Sequence, residues 1–188
     1  MMLANYPLTV FGDTLMTKEI IIRPFSDRDA AQARELFIAV NRLLSPPELR
    51  DAFDAYIERA LAEEIDRIPA YYSEHAGSFW VALKDDKMVG MFGLEDTLDG
   101  AMELRRMYVD PSARRQGIAR QMLQSAEAEC RRRRVSRLTL STSEIQVAAL
   151  ALYKEAGYTL LREETADVAS NKTIGSGIRR YYFEKALG

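Results

Sequence analysis

From residue 19 onward the chain alternates between two hydrophobic periods, and each change of period marks a new element. Glu19-Ile20-Ile21-Ile22-Arg23 is β-branched and halts at Pro24, which predicts a first strand. Ser26 has the chemistry of a helix N-cap, and Asp27 and Asp29 place negative charge in the first turn, where it is favoured. Leu36, Phe37, Val40, Leu43 and Leu44 then recur at helical spacing. Ser45-Pro46-Pro47 resets the chain. Leu49, Phe53, Tyr56, Ile57, Ala60, Leu61, Ile65 and Ile68 form the stripe of a long second helix, which Pro69 should end.

Period two returns at Phe79–Leu83 and Met88–Leu94, two strands joined by the polar turn Lys84-Asp85-Asp86-Lys87. A second polar connection leads into Met102–Val109, the third strand of the meander, which stops at Asp110-Pro111. Ile118, Met122, Leu123, Ala126 and Cys130 trace one face of a helix that reaches about Arg134. Arg137–Thr142 alternates as a strand. Ser143 and Gln146 have the spacing of a capping box, opening a helix from about Glu144 to Ala156, with Gly157 as its left-handed stop. Strands around Tyr158–Glu163 and Arg179–Ala186 flank a polar loop containing Asn171 and Gly175. Residues 1–18 show no clear period and read as an arm. A meander followed by a crossover unit implies an α+β fold with a mixed sheet.

The length of 188 residues suits one domain, and 47% hydrophobic with 29% charged residues is a globular balance. Net charge is −2, which argues against a nucleic-acid partner, while the arginine-rich stretch from Arg105 to Arg137 suits a small polyanion. The single cysteine, Cys130, permits no intramolecular disulfide, and no run approaches the ~18 apolar residues of a membrane span. A cytoplasmic protein is expected. His75 is the sole histidine, so no metal site is expected. Cys130 lies on the apolar helix face and should be buried; Arg131–Arg134 end a helix, where cations complement the dipole.

The chemistry concentrates where a strand ends at Val109-Asp110-Pro111 and Arg114-x-x-Gly117-x-Ala119 opens a helix. A helix N-terminus presents unpaired N–H groups and partial positive charge to a phosphate. Gly117 allows close approach, Ala119 is small, and Arg114 and Arg115 add charge-assisted donors. A Walker loop needs glycine-lysine-serine/threonine, which is missing. A dinucleotide loop wants three glycines after a first parallel strand, and this turn has one after a meander.

Glu103-Leu104-Arg105-Arg106-Met107-Tyr108-Val109-Asp110-Pro111 with that turn resembles the signature of the GCN5-related N-acetyltransferase (GNAT) superfamily, as does Gln146-x-x-Ala149-x-x-Leu152-Tyr153-x-x-x-Gly157-Tyr158. Gly77-Ser78-Phe79-Trp80-Val81-Ala82 and Ser141-Thr142-Ser143-x-Ile145-Gln146 resemble, more loosely, its camello-type branch, which includes enzymes acetylating cysteine S-conjugates or lysine side chains.

The resemblance implies a mostly antiparallel mixed sheet flanked by helices, acetyl-CoA as co-substrate, and direct attack by a primary amine of a small molecule or protein. It implies that Arg114, Arg115, Gln116, Gly117, Ile118, Ala119 and Arg120 hold the pyrophosphate. Met107, Tyr108 and Val109 would bond the pantetheine arm, with the Met107 N–H polarising the carbonyl. Tyr153 matches the general acid and Glu103 the strand base, with Glu95 acting through water as second choice. Strand alternation puts Glu103, Arg105, Met107 and Val109 on one face; a salt bridge to an arginine is the competing role for Glu103. Gln146 stands where many members have asparagine, so cofactor positioning competes there with the helix cap. Tyr56, Tyr71, Tyr72 and Trp80 are candidates to line an acceptor pocket, with core packing favoured for Trp80. A homodimer is expected. A non-catalytic acyl-CoA-binding module that regulates a partner is the alternative function.

Overall fold

The computed structural model describes residues 19–188, so the expected arm at 1–18 lies outside the described residues. The chain runs β1 (Ile21–Pro24), α1 (Ala30–Leu44), α2 (Arg50–Glu63), α3 (Ile68–Glu74), β2 (Ser78–Lys84), β3 (Lys87–Asp96), β4 (Ala101–Val109), α4 (Ile118–Arg132), β5 (Arg137–Ser143), α5 (Val147–Glu155), β6 (Thr159–Ala166) and β7 (Ile178–Ala186). All seven strands form one open sheet in the order β1-β2-β3-β4-β5-β7-β6. Every pairing is antiparallel except β4 with β5. The α+β class and mixed sheet expected from the sequence are those found.

A sheet with helices on both faces buries two cores. Phe37, Tyr56, Ile68, Met91 and Tyr108 pack between α1–α3 and one face. Phe92, Leu94, Ile118, Met122, Leu138, Tyr153 and Phe183 pack between α4, α5 and the other. The fit on the first face is close: a Cβ on Gly93 would come within 2.1 Å of the Tyr72 hydroxyl, so Tyr72 lies against bare backbone. Trp80 is half-buried and stacks on Phe92 at 6.1 Å. Cys130 is buried, and desolvation pushes its thiol up to about 11.

The start of α1 is tied to β1. Arg23 donates through both terminal nitrogens to Asp29, at 2.7 and 2.8 Å, and Asp29 also accepts from the Ser26 N–H and hydroxyl. The Arg23 bonds above all hold the Asp29 carboxyl down at about 2.

Three expectations need correction. The long second helix is broken at Glu64, and Pro69 opens α3 instead of ending α2, since its missing N–H costs nothing in a first helical turn. The capping box at Ser143 and Gln146 does not form: α5 starts later, at Val147, with Gln146 making no side-chain cap. The Gln146 amide oxygen instead accepts from the Thr142 hydroxyl at 2.8 Å. Most consequentially, alternation fails along β4. Arg106 has φ +51, and the register slips between Met91 and Gly93, so β4 carries an extra residue there. Arg105 and Arg106 therefore both face α1–α3, while Met107 and Val109 turn to the α4 side, opposite Glu103.

Candidate functional site

The parallel pairing that joins the two halves of the sheet is short. It runs from Ala101↔Arg137 to Leu104↔Leu140 and stops. Beyond that point β4 stays with β3 up to Val109, and β5 stays with β7 up to Ser143. The edge of β4 past Leu104 thus faces a gap rather than a strand, a solvent-open cleft of about 910 Å³. Groups from both faces of the sheet reach this cleft.

At the end of β4 the Asp110 carboxylate accepts from the Ser112 N–H and hydroxyl, fixing the turn that follows. Arg115 and Gly117 are both left-handed, φ +63 and +77, and Gly117 is the N-cap of α4. A Cβ on Gly117 would meet no atom within 4 Å. The glycine therefore answers to backbone conformation, and the space above it is open. Arg114, Arg115 and Gln116 are exposed; neither arginine has an ion-pair partner among the described residues. Lys84 donates to the Gln116 side chain at 2.7 Å, and Arg120 pairs with Glu155 on the surface at 3.2 Å. Ile118 is buried, so only its backbone faces the turn. The open approach, the free arginines and the N-terminus of a 15-residue helix fit a pyrophosphate.

Across the cleft, Tyr153 projects from α5 with its hydroxyl 3.9 Å from the Met107 sulfur. Burial raises its pKa, so the phenol is a neutral donor at ordinary pH. Tyr153 and Met107 lie on the α4 side; the carboxylates lie on the other. Glu103 is the cross-strand partner of Glu95. Glu95 accepts from Arg105 at 2.7 Å and from the Tyr71 hydroxyl at 3.2 Å. Burial, above all, pushes that phenol up to about 12. Glu103 is held by Lys172, 2.5 Å away, from the loop between β6 and β7. The competing role considered for Glu103, a salt bridge to an arginine, is not the pairing found: Arg105 belongs to Glu95 and Glu64.

Glu64 was not singled out by the sequence, and it organises this face. Its fully buried carboxylate accepts from Arg105, Arg106 and Tyr72, each at 2.7 Å. Desolvation pulls its pKa up, but Arg106, Arg105 and Tyr72 together bring it below the ordinary value. Arg106 also donates to the Tyr56 hydroxyl and to the Asn171 carbonyl, and lies over the Phe37 ring. Of the aromatic candidates, Tyr56 lines the cleft; Tyr71 and Tyr72 position carboxylates, and Trp80 packs. A signal existed: Glu64 sits on the apolar stripe between Leu61 and Ile68, where a carboxylate needs partners.

His75 stacks on Tyr71, and the arginines ending α4 pair with Glu127 and Glu129. Among the described residues no group of three or more His, Cys, Asp or Glu could hold a metal, and no helix is long and apolar enough to cross a membrane.

The acetyltransferase (GNAT) family model matches residues 40–158, a span that holds β4, the Arg114–Ala119 turn and Tyr153. The chain belongs to the GNAT acetyltransferase family. Human N-acetyltransferase 8 is 34% identical over 109 residues, 55% of this GNAT chain and 48% of its own. The N-acetylaspartate synthetase of Danio rerio is 31% identical over 132 residues, 69% of this chain and 46% of its own. These relatives accord with the looser camello-type resemblance in the sequence. The chain spans about half the length of the curated relatives it matches. In fold, this GNAT chain is similar to an acetyltransferase of Staphylococcus aureus, with a TM-score of 0.67 at 18% identity over 90% of this chain and 100% of that one. It is also similar to the ribosomal-protein-S18-alanine N-acetyltransferase of Escherichia coli, with a TM-score of 0.65 at 19% identity over 90% and 94%.

Proposed function

We propose that the chain transfers an acetyl group from acetyl-CoA to a primary amine, by direct attack with both substrates in the cleft. One observation carries this reading: the parting of β4 from β5 after Leu104 opens a cleft lined by Glu103, Met107 and Tyr153, and the same strand β4 runs on into the Arg114–Ala119 turn at the start of α4. Arg114, Arg115 and the backbone from Gln116 to Ala119 hold the pyrophosphate, with Arg120 at the rim. The unpaired edge of β4 at Met107, Tyr108 and Val109 takes the pantetheine arm as a strand would, and the Met107 N–H donates to the acyl oxygen. Gln146, held by Thr142 at the cleft wall, helps to orient the arm.

Bound there, acetyl-CoA supplies an acyl carbon activated by its thioester. Tyr153 gives its proton to the sulfur. Glu103, on the other face, takes the proton of the amine that enters from the α1–α2 side, with Glu95 behind it acting through water. The acceptor is a small molecule or a protein amine; Arg180, which lines the cleft and donates to the Ser141 hydroxyl, favours one bearing a carboxylate. The exposed edge strand β6, with Leu160 and Leu161, is the surface for a homodimer.

Calorimetric titration with acetyl-CoA, followed by thiol release across a panel of amino acids, polyamines and peptides, tests the reading. Binding with thiol release on one amine class is expected. Tight binding without release on any class would favour the non-catalytic acyl-CoA-binding module.

A further inference from the structure

Lys172 is one of the chain's own primary amines, and it lies where an acceptor must arrive. Its Nζ is 2.5 Å from a Glu103 carboxylate oxygen, and its side chain lines the same cleft as Met107 and Tyr153. The loop that carries it is fastened on both sides. Arg106 donates to the carbonyl of Asn171 at 2.6 Å, and Ile174 packs against the core under α1–α3. The ammonium is thus held by its backbone as well as by its charge, while 45% of the side chain stays exposed.

We propose that Lys172 is an internal acceptor, acetylated in cis when acetyl-CoA occupies the cleft; this rests on the acyl-transfer reading above. Glu103 removes a proton from the ammonium. The neutral Nζ forms an amide bond to the acyl carbon as the carbon–sulfur bond breaks. Tyr153 passes its proton to the sulfur, giving free thiol, and is reprotonated through solvent by the second proton that leaves the nitrogen as the amide forms, while Glu103 returns the first proton to solvent. An amine and a thioester become an amide and a thiol, with no change of oxidation state. The amide carries no charge, so the ion pair to Glu103 is lost and the carboxylate is released to an external amine.

The test is peptide-mapped mass spectrometry of the whole protein incubated with acetyl-CoA and no acceptor. Lys172 should gain acetyl about tenfold or more faster than the exposed Lys154, because its amine is held in place. The rate constant should not depend on protein concentration, and Glu103→Gln should abolish the advantage. A second measurement needs no acyl donor. Reductive methylation of the free protein should be slower at Lys172 than at Lys154, and Glu103→Gln should remove the difference. Acetylation of Lys172 no faster than Lys154, or at a rate that rises with protein concentration, overturns the proposal. Thiol release on external amines with Lys172 unmodified refutes the internal acceptor alone. Failure to bind acetyl-CoA refutes the acyl-transfer reading and this proposal together.

Discussion

Glu103 stands directly opposite Glu95 across the β3–β4 ladder, so the two carboxylates considered as bases share one face of the sheet. Like charges so placed repel, and each is offset by its own cation. Glu95 is held by Arg105, which is buried and also tied to Glu64. Glu103 is held by Lys172, which comes from a loop and is half exposed. An incoming amine can displace the lysine far more easily than the arginine. In the proposed acyl transfer Glu103 is therefore the carboxylate that would meet the amine, and Glu95 is the member built into the framework.

From this asymmetry, Glu103→Gln should lower kcat/KM by about 100-fold or more near neutral pH, and Glu95→Gln by clearly less. The Glu103→Gln deficit should shrink as pH rises toward the acceptor amine's own pKa, about 10 for an alkyl amine, where no base is required. Rate profiles of thiol release against pH for both variants check this. A deficit independent of pH, or a larger loss in Glu95→Gln, would reverse the assignment.

Gly117 separates conformation from binding. At φ +77 with nothing near its Cβ position, Gly117→Ala should cost only about 1 kcal/mol of stability. Gly117→Glu adds bulk and negative charge at the same place and should abolish acetyl-CoA binding while leaving a folded protein. Thermal unfolding and calorimetric titration of both variants distinguish these effects. Unchanged affinity in Gly117→Glu would remove the pyrophosphate from this turn.

The elements were legible in the sequence because hydrophobic period is a local signal, and β2, β3, β4, α4 and β7 fall within a residue or two of their expected places. The turn at Arg114–Ala119 was legible because a glycine flanked by arginines at a helix start has a local physical meaning. What failed was long-range. Nothing near Arg106 in sequence reports that its guanidinium reaches Glu64, 42 residues away, and that β4 bulges to let two consecutive arginines face the same side. The contact of Lys172 with Glu103 spans 69 residues and depends on how the β6–β7 loop folds back. Pro69 misled because proline is compatible with both the end of one helix and the first turn of another.

Glu64 is the centre of the buried charge cluster, so removing it strands two cations. Glu64→Ala should destabilise the protein by about 3–5 kcal/mol, the range for breaking a buried ion pair from one side. The double variant Glu64→Ala with Arg106→Met should be less destabilised than the sum of the two single changes, because the stranded charge goes with its partner. Urea unfolding of the four proteins gives the coupling directly. Strict additivity would mean that Glu64 and Arg106 do not depend on each other.

Asp29 ties stability to pH. Its carboxyl is held at about 2 by the Arg23 bonds, against an ordinary value near 4 in the unfolded chain. The unfolded state thus binds the proton first, and the Asp29 contribution is fully present above about pH 4 and is lost as pH falls toward 2. Urea midpoints for the wild type and Asp29→Asn should stay a constant distance apart at neutral pH and converge in acid. A gap that persists unchanged at the acid end would mean that the charge is not what Asp29 contributes.

Tyr153→Phe removes one oxygen and little else. The ring keeps its packing against Tyr158 and Phe183, with centroids 5.9 and 6.1 Å away, so unfolding temperature should hardly move. The hydroxyl has the Met107 sulfur as its neighbour at 3.9 Å, a weak acceptor that leaves the proton available to a stronger one. Burial holds the phenol protonated throughout the neutral range, which suits a donor and rules against a role as base there. The variant should therefore bind acetyl-CoA as the wild type does and turn over about 100-fold more slowly, with the loss in kcat rather than in KM for the acyl donor. Steady-state kinetics alongside calorimetric affinity makes that division visible. A wild-type kcat in Tyr153→Phe would show that the sulfur takes its proton from water, and a matching loss of affinity would show that the tyrosine shapes the pocket instead of protonating the leaving group.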